Sequence, residues 1–404
     1  MRALDRLRLA YVTAAFPYPL RSGYLRHHHL IRHLAQRFDV NLYALAPQGV
    51  SESDRSAMEP FTSEISTFHH QEGRRARLRR LIDPNHPTPS AHELAISVDR
   101  AITEGQIDAV LLSGKETATV VDHIHARVPL IIDLCDATSA RVAQEMAVSG
   151  LLRRRALASR RTGLRVIERR LIAAGDALTV ISSRDRELLE SEGAPATVRA
   201  STVIPNGIDV DQWRRTDATL GFDVVFCGNL GYRPNADAAL HLVRDVMPLV
   251  WNRFPATAVT IIGTGASTDL CRRLTHPSVA LTGTVDDVRP HLERAAVFVA
   301  PLRMAVGVQN KILEALSLGI PVVASKLAAD GLVTNGEDPP LTRADGPEET
   351  ATAIVHQLLR RSQGEDQADE ATRAWVAERF QWDRSAEHLG DLIEAAYRRE
   401  DISC

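Results

Sequence analysis

Lysine is almost absent from this chain. Lys and Arg together number 48, yet only Lys115, Lys311 and Lys326 are lysines. A compact ammonium, as opposed to a planar guanidinium, is therefore placed at three positions only. Cysteine is scarce too: residues 135, 227, 271 and 404 are scattered, with no CxxC pair. That spacing excludes a zinc-ribbon or disulfide framework and fits a reducing compartment. No apolar run approaches the ~20 residues of a membrane-spanning helix. The opening MRALDRLRLAYVTAAF is interrupted by Arg8 and lacks a cleavage-like site, so it is expected to be a strand and not a signal peptide. An excess of positive charge is missing as well; the net charge of −3 argues against a general nucleic-acid binder. The expected location is the cytoplasm.

What remains is an ordinary globular composition, 44% apolar and 25% charged over 404 residues, long enough for two domains with full cores. Residues 8–16 read as a strand, FPYPLRSGYLR as a loop, 24–37 as a helix and 40–46 as a second strand, the alternation of a doubly wound α/β unit. Ligands of such sheets bind outside the carboxyl ends of strands, which makes Ser22 and Gly23 candidates, with a plain turn as the alternative. Arg26, near the helix start, is placed to reach an anionic group. His29 and His33 stand one turn apart but lack an HExxH glutamate, so His27, His28, His29 and His33 read as structural. Strands return at 109–112 and 130–134. The second ends in DLCDATS, where Asp136 is either a sugar or acceptor ligand or a cap of the next helix. Ser113-Gly114-Lys115 lacks the earlier glycine of a phosphate loop and is set aside. Residues 72–98 form a basic excursion suited to an acceptor pocket or an anionic surface. Residues 153–170, rich in arginine, read as a solvated helix weakened at Gly163, a membrane-surface or acidic-partner face being the other reading. Ser182 and Asp185 form a capping box.

The motif VIPNGID ends a strand in an Asn-Gly turn and puts a domain boundary at 206–220. The triplet Asp209-Val210-Asp211 falls in that turn and reads as structural. The strand 222–227 leads into GNLGYRPNADAALHLV, where Gly228 and Gly231 permit close backbone approach and Arg233 supplies charge. The strand 258–262 ends in GTGAST, a dinucleotide fingerprint without its third glycine. The stretch GVQNKILEALSLGIPVVAS then reads as a short helix, a glycine stop at Gly319 and a buried strand. Its charge order is inverted. Lys311 sits where the helix dipole is positive and precedes Glu314, against the arrangement that stabilises a helix by roughly 0.3–1 kcal/mol. An exposed ion pair is one reading. The other is an arriving phosphate at Lys311, with Glu314 accepting from adjacent hydroxyls such as a ribose diol.

Taken together, GNLGYRPNADA, TIIGTG, LTGTVDDVRPHLERAAVFVAPLR, GVQNKILEALSLGIPVVAS and AADGL resemble the nucleotide-sugar-binding domain of GT-B glycosyltransferases, in particular the exopolysaccharide-type sugar transferase branch of glycosyltransferase family 4. FPYPLRSGYLRHHHLIRHLAQR and IPNGID are similar to that branch's start and inter-domain signature. The resemblance implies an α/β protein of GT-B architecture, two Rossmann-like doubly wound domains facing a central cleft. It implies an acceptor domain over 1–205, a donor domain over 206–382, and a last helix at about 383–400 crossing back onto the first domain. It puts Glu314 on the donor ribose, Lys311 and Arg233 on the diphosphate, backbone amides of Gly307, Val308, Gln309 and Asn310 around it with Gly228, and Val285 against the base. Ser22, Gly23 and Arg26 fall on the acceptor side, and Gly23, Asp136, Arg233 and Lys311 are the expected catalytic set. The implied reaction is transfer from a UDP-, GDP- or dTDP-linked sugar to a glycan, a lipid-linked acceptor or a small molecule, with retention and with no metal or cofactor; the arginine-rich helix, not the resemblance, leaves a peripheral contact at the inner face of a membrane open. Two departures stand out: Val306 where a Glu-x7-Glu pair has its first carboxylate, and Asn229 where arginine is usual. The rivals are a GT-B-fold sugar-nucleotide epimerase and a non-catalytic sugar-nucleotide-binding protein.

Overall fold

A computed structural model describes residues 6–20, 24–69, 88–124, 128–215, 223–364 and 369–401. The chain divides into two compact units, Met1–Gly207 with Trp382–Cys404, and Ile208–Gln381.

The first unit holds seven strands: β1 (Arg8–Thr13), β2 (Asp39–Leu45), β3 (Glu64–Phe68), β4 (Ala109–Ser113), β5 (Leu130–Asp133), β6 (Ala177–Val180) and β7 (Thr202–Val203). All pair in parallel, in the order β3-β2-β1-β4-β5-β6-β7. The period of two along a strand separates two cores. Leu9 and Tyr11 face Leu30, Ile31 and Leu34 of the helix Leu25–Leu34. Ala10 and Val12 face Leu94 and Val98 of the helix Pro89–Thr103. The last helix, Trp382–Asp401, adds Ala386, Leu389 and Ile393 to the first of these cores. Arg37 ties it down through Asp391 (2.8 Å) and Glu394 (2.6 Å), and Trp382 stacks on His29 at 4.8 Å between ring centroids.

The second unit holds β8 (Asp223–Cys227), β9 (Val259–Ile262), β10 (Val279–Leu281), β11 (Ala295–Ala300), β12 (Val322–Ala324) and β13 (Thr342–Arg343), all parallel, in the order β10-β9-β8-β11-β12-β13. The run AAVFVA of β11 is buried at every position, as in a parallel strand covered on both faces.

Strand order reverses between β1 and β4 in one sheet and between β8 and β11 in the other. The loops after those four strands flank the two crevices where open α/β sheets take ligands. The helix Asn310–Ser317 follows β11 and ends as its glycine predicts. Gly319 takes φ 67°, and the amides of Ile320 and Gly319 close onto Ala315 O (3.1 Å) and Leu316 O (2.9 Å).

Two expectations change. The helix Leu151–Ala174 runs unbroken through Gly163, which is buried. Residues 50–69 carry a helix, Glu52–Met58, and the edge strand β3, neither of which the sequence reading assigns; EISTF is too short and polar to stand out.

Candidate active site

In the second unit three loops meet at the carboxyl ends of β8, β9 and β11. Gly228 N donates to Ile262 O (2.9 Å) and Leu230 N to Thr264 O (2.7 Å). The approach is so close that a side-chain carbon on Gly263, at φ 153°, would lie 1.9 Å from Gly228 O. On the other flank, a carbon on Gly331 would lie 2.0 Å from Gly307 O, and Gly307 itself has φ 68°.

Lys311 crosses this assembly. Its Nζ donates to Asn235 Oδ1 and stands 5.0 Å from the centroid of the Phe226 ring. Asn235 is held in turn by Nδ2 donating to Asn229 O (3.0 Å). The ammonium touches the space above Gly228, where a side-chain carbon would be 3.0 Å from Nζ and 2.7 Å from Asn235 Nδ2. Lys311 makes no ion pair with any described residue. Burial lowers its pKa, opposed by Cys227 and Glu314. Glu314, one turn on, makes no hydrogen bond or ion pair through its carboxylate with the described residues, and burial raises its pKa to about 7 against the pull of Lys311. The exposed-pair reading of these two residues therefore fails: they do not bridge, and both are half-buried. The helix start has no side-chain cap, Gln309 instead donating from Nε2 to Val306 O (2.9 Å). The chemistry of this arrangement suits an anion at Lys311 and hydroxyl donors at Glu314.

The remaining residues distribute as follows. Arg233 opens the helix Arg233–His241, whose third residue is Asn235. Val285 lies half-buried against the second unit's core, past β10. Asp209 accepts from Gln212 N (3.0 Å), a local turn contact, and the described residues contain no group of three His, Cys, Asp or Glu able to hold a metal. Ser22 and Gly23 lie outside the described residues. So does most of the excursion at 72–98, of which the structure describes only the helix from Pro89 onward.

In the first unit Arg26 is a correction. Its guanidinium turns inward, away from any arriving anion, and pairs with Asp133 through Nε (2.9 Å) and Nη2 (3.1 Å), with Nη1 on Ile204 O (2.9 Å) and Asn206 Oδ1 (3.2 Å). Asp133 also accepts from Ser113 Oγ (3.1 Å) and Thr179 Oγ1 (2.8 Å). Burial opposes ionisation of Asp133, but Arg26 outweighs it and holds the carboxyl well below its ordinary range. His27 accepts or donates at Tyr11 OH (3.0 Å) and is kept neutral by burial, its pKa lowered to about 4.

Lys115, passed over at the sequence level, is buried beside this network. It donates to Asp136 O (2.9 Å) and Leu134 O (3.2 Å) and faces Asp136 Oδ1 at 3.7 Å and Glu168 Oε1 at 3.8 Å. Burial alone would lower its pKa; the two carboxylates raise it. Asp136 additionally accepts from Thr138 Oγ1 (2.6 Å), but the helix Thr138–Ala147 has Ala137 at its N-cap and no side-chain cap, so Asp136 does not take the capping role. The rarity of lysine was the signal for Lys115 as for Lys311.

Glycine substitutions separate scaffold from site. Gly263→Ala meets a backbone oxygen that cannot yield, and is expected to cost the second unit at least ~2 kcal/mol. Gly228→Ala meets two side chains that can move. It is expected to melt within a few degrees of wild type while displacing Lys311 and weakening anion binding by roughly 10-fold. Thermal melts and phosphate or nucleotide titrations of both variants check this.

Two parallel sheets with these strand orders and loops define an α/β fold of GT-B architecture, shared with solved glycosyltransferase structures. Residues 221–360 match the family model described as Glycosyl transferases group 1. Similar solved structures include sucrose-phosphate synthase from Thermosynechococcus elongatus (14% identity, 99% of this chain and 100% of that chain, TM-score 0.71). Anabaena Alr3699/HepE in complex with UDP-glucose aligns at 16% identity over 96% of this chain and 100% of that chain, TM-score 0.69. A glycosyltransferase from Rickettsia africae aligns at 9% over 97% and 99%, TM-score 0.66. No curated protein matches the chain. The family model matches within the second unit, and the solved structures share the fold.

Proposed function

We propose that this protein transfers a sugar from a nucleoside diphosphate to an acceptor hydroxyl, with retention and without a metal. The observation that carries this is Lys311, a half-buried ammonium with no acidic partner among the described residues, set at the β8–β11 crevice one turn from the carboxylate of Glu314, which likewise has no partner among them. In this reading Lys311, Arg233 and the amides at the start of the helix Asn310–Ser317 neutralise the departing diphosphate. Glu314 accepts from the two ribose hydroxyls, and Val285 lies against the base. The leaving phosphate oxygen takes the acceptor's proton, so the chain itself supplies no base. Val306 leaves the transferred sugar without the carboxylate that a Glu-x7-Glu pair would offer, so the sugar is recognised elsewhere. The acceptor is a glycan, a lipid-linked saccharide or a small molecule. The free thiols Cys135, Cys227 and Cys271 fit a cytoplasmic site of action. The branch of family 4 whose motifs the sequence resembles is the family we assign.

The test is a thermal-shift panel of UDP-, GDP- and dTDP-sugars, beginning with UDP-glucose. A ligand at about 100 times its Kd adds ~2.7 kcal/mol, a shift of several degrees. At least one member is expected to give it, and incubation with acceptor should then release the nucleoside diphosphate. If none of the panel raises the melting temperature, the reading is lost. Binding followed by an epimerised sugar with no acceptor would replace it with the epimerase.

A further inference from the structure

We propose that the tip formed by the end of the helix Thr138–Ala147, the turn at 148–150 and the first turns of the helix Leu151–Ala174 docks on an anionic phospholipid bilayer. Leu151 and Leu152 are 80% and 85% exposed, the most exposed large apolar side chains among the described residues, and Val148 beside them is 40% exposed. The first buried side chain of the helix is Leu157, so its first turns stand off the core. Leu151 shares a helical face with Arg154 and Arg155, three and four residues on. Arg154, Arg155 and Arg160 are exposed and make no ion pair or side-chain hydrogen bond with described residues. Arg153 is already neutralised by the buried Glu145 at 2.7 Å. The one acidic residue of the helix, Glu168, is buried, so its outer face carries positive charge alone, on a chain whose net charge is −3.

The composition of the tip selects the occupant. Two leucines and a valine present far less than the ~800 Å² per partner of a stable protein interface. They suffice to seat in the headgroup boundary, with arginine stems lying along the acyl region and guanidinium groups at the phosphates. No helix among the described residues is long and apolar enough to cross a membrane, so the contact is with one surface.

Co-sedimentation with vesicles tests this. The protein is expected to bind phosphatidylcholine vesicles containing phosphatidylglycerol, to bind pure phosphatidylcholine weakly, and to dissociate near 1 M salt, where screening acts within about 3 Å. Each arginine at an anionic surface is worth about fivefold in partitioning, so Arg154→Glu/Arg155→Glu should cut binding roughly 25-fold or more. Leu151→Ser/Leu152→Ser should abolish it, and both variants should melt and bind nucleotide sugar as wild type does. Nucleotide binding and vesicle binding are separate readouts, so either proposal can fail alone. Equal vesicle binding by wild type and both variants, or none by wild type, overturns the docking surface. So does a dimer in sedimentation velocity that the serine pair dissociates, which would make the tip an interface between copies.

Discussion

Asp133→Ala should lower the melting temperature by roughly 6–20 °C, the equivalent of about 3–5 kcal/mol, because it strands Arg26 as an unpaired buried charge. Arg26 and Asp133 side chains are 7% and 1% exposed. The carboxylate removed accepts from Arg26, Ser113 and Thr179, which come from a helix and from β4 and β6. Its loss therefore leaves three elements with orphaned donors, while only a small apolar volume is deleted. The cost is not the value of the pair itself, since replacing both charges with apolar residues can be neutral. Asp133→Asn, which keeps the shape and one acceptor, should fall between wild type and alanine. The acid limb of stability separates two groups in the same cluster. His27 takes its proton first in the unfolded chain, at 6.5 against about 4 when folded, so stability drains as pH falls through that window. Asp133, held lower still when folded, loses its contribution only as pH falls below its unfolded value of about 4. Melts across pH should show Asp133→Ala flattening the lower limb and leaving the His27 limb in place. An alanine variant that melts within a degree or two of wild type would show that water, and not Asp133, satisfies Arg26.

The part of the molecule legible in the sequence is the part written locally. Alternating apolar runs and glycine loops specify both parallel sheets, and the inverted order of Lys311 and Glu314 marks an anomaly within one helix. The partner that holds Lys311 is another matter: Asn235 is 76 residues away, and nothing near either residue announces the other. Arg26 misleads for the same reason. At a helix start after a glycine loop it has the local look of an anion ligand, while its counter-charge, Asp133, lies 107 residues on. Lys115 is equally rare as a lysine, yet its carboxylates come from the loop after β5 (Asp136) and from the helix Leu151–Ala174 (Glu168), so rejecting SGK as a phosphate loop discards it. The crowding of Gly263 on Gly228 likewise depends on β8 and β9 being neighbours. A pattern of glycines shows that close approach is allowed; only the strand order shows what is approached.

Glu314→Ala should abolish measurable nucleotide-sugar binding, a loss of about 100-fold or more, since two hydroxyl hydrogen bonds to a charged acceptor are removed at once. The pH dependence of the wild type gives a sharper reading. Burial raises the free carboxyl to about 7, so in the empty site it is partly protonated near neutrality. Hydroxyl donors stabilise only the ionised form and must lower that pKa on binding. Binding then releases a proton, and affinity should rise with pH up to about 7, by at most about tenfold per unit, and level off above it. The donor's diphosphate is a diester and stays doubly ionised throughout, so the slope belongs to the protein. The Lys311 ammonium, lowered by burial from 10.5, would bend the curve the opposite way at its alkaline end, where loss of its proton removes the charge that holds the diphosphate. Glu314→Gln, which keeps an acceptor and cannot ionise, should bind more weakly than wild type and with no slope below neutrality. Titrations of wild type and Glu314→Gln by calorimetry in two buffers of different ionisation enthalpy would count the released proton directly. A wild-type affinity flat from about pH 5.5 to about pH 8 would mean that Glu314 does not receive the ribose, whatever the alanine variant does.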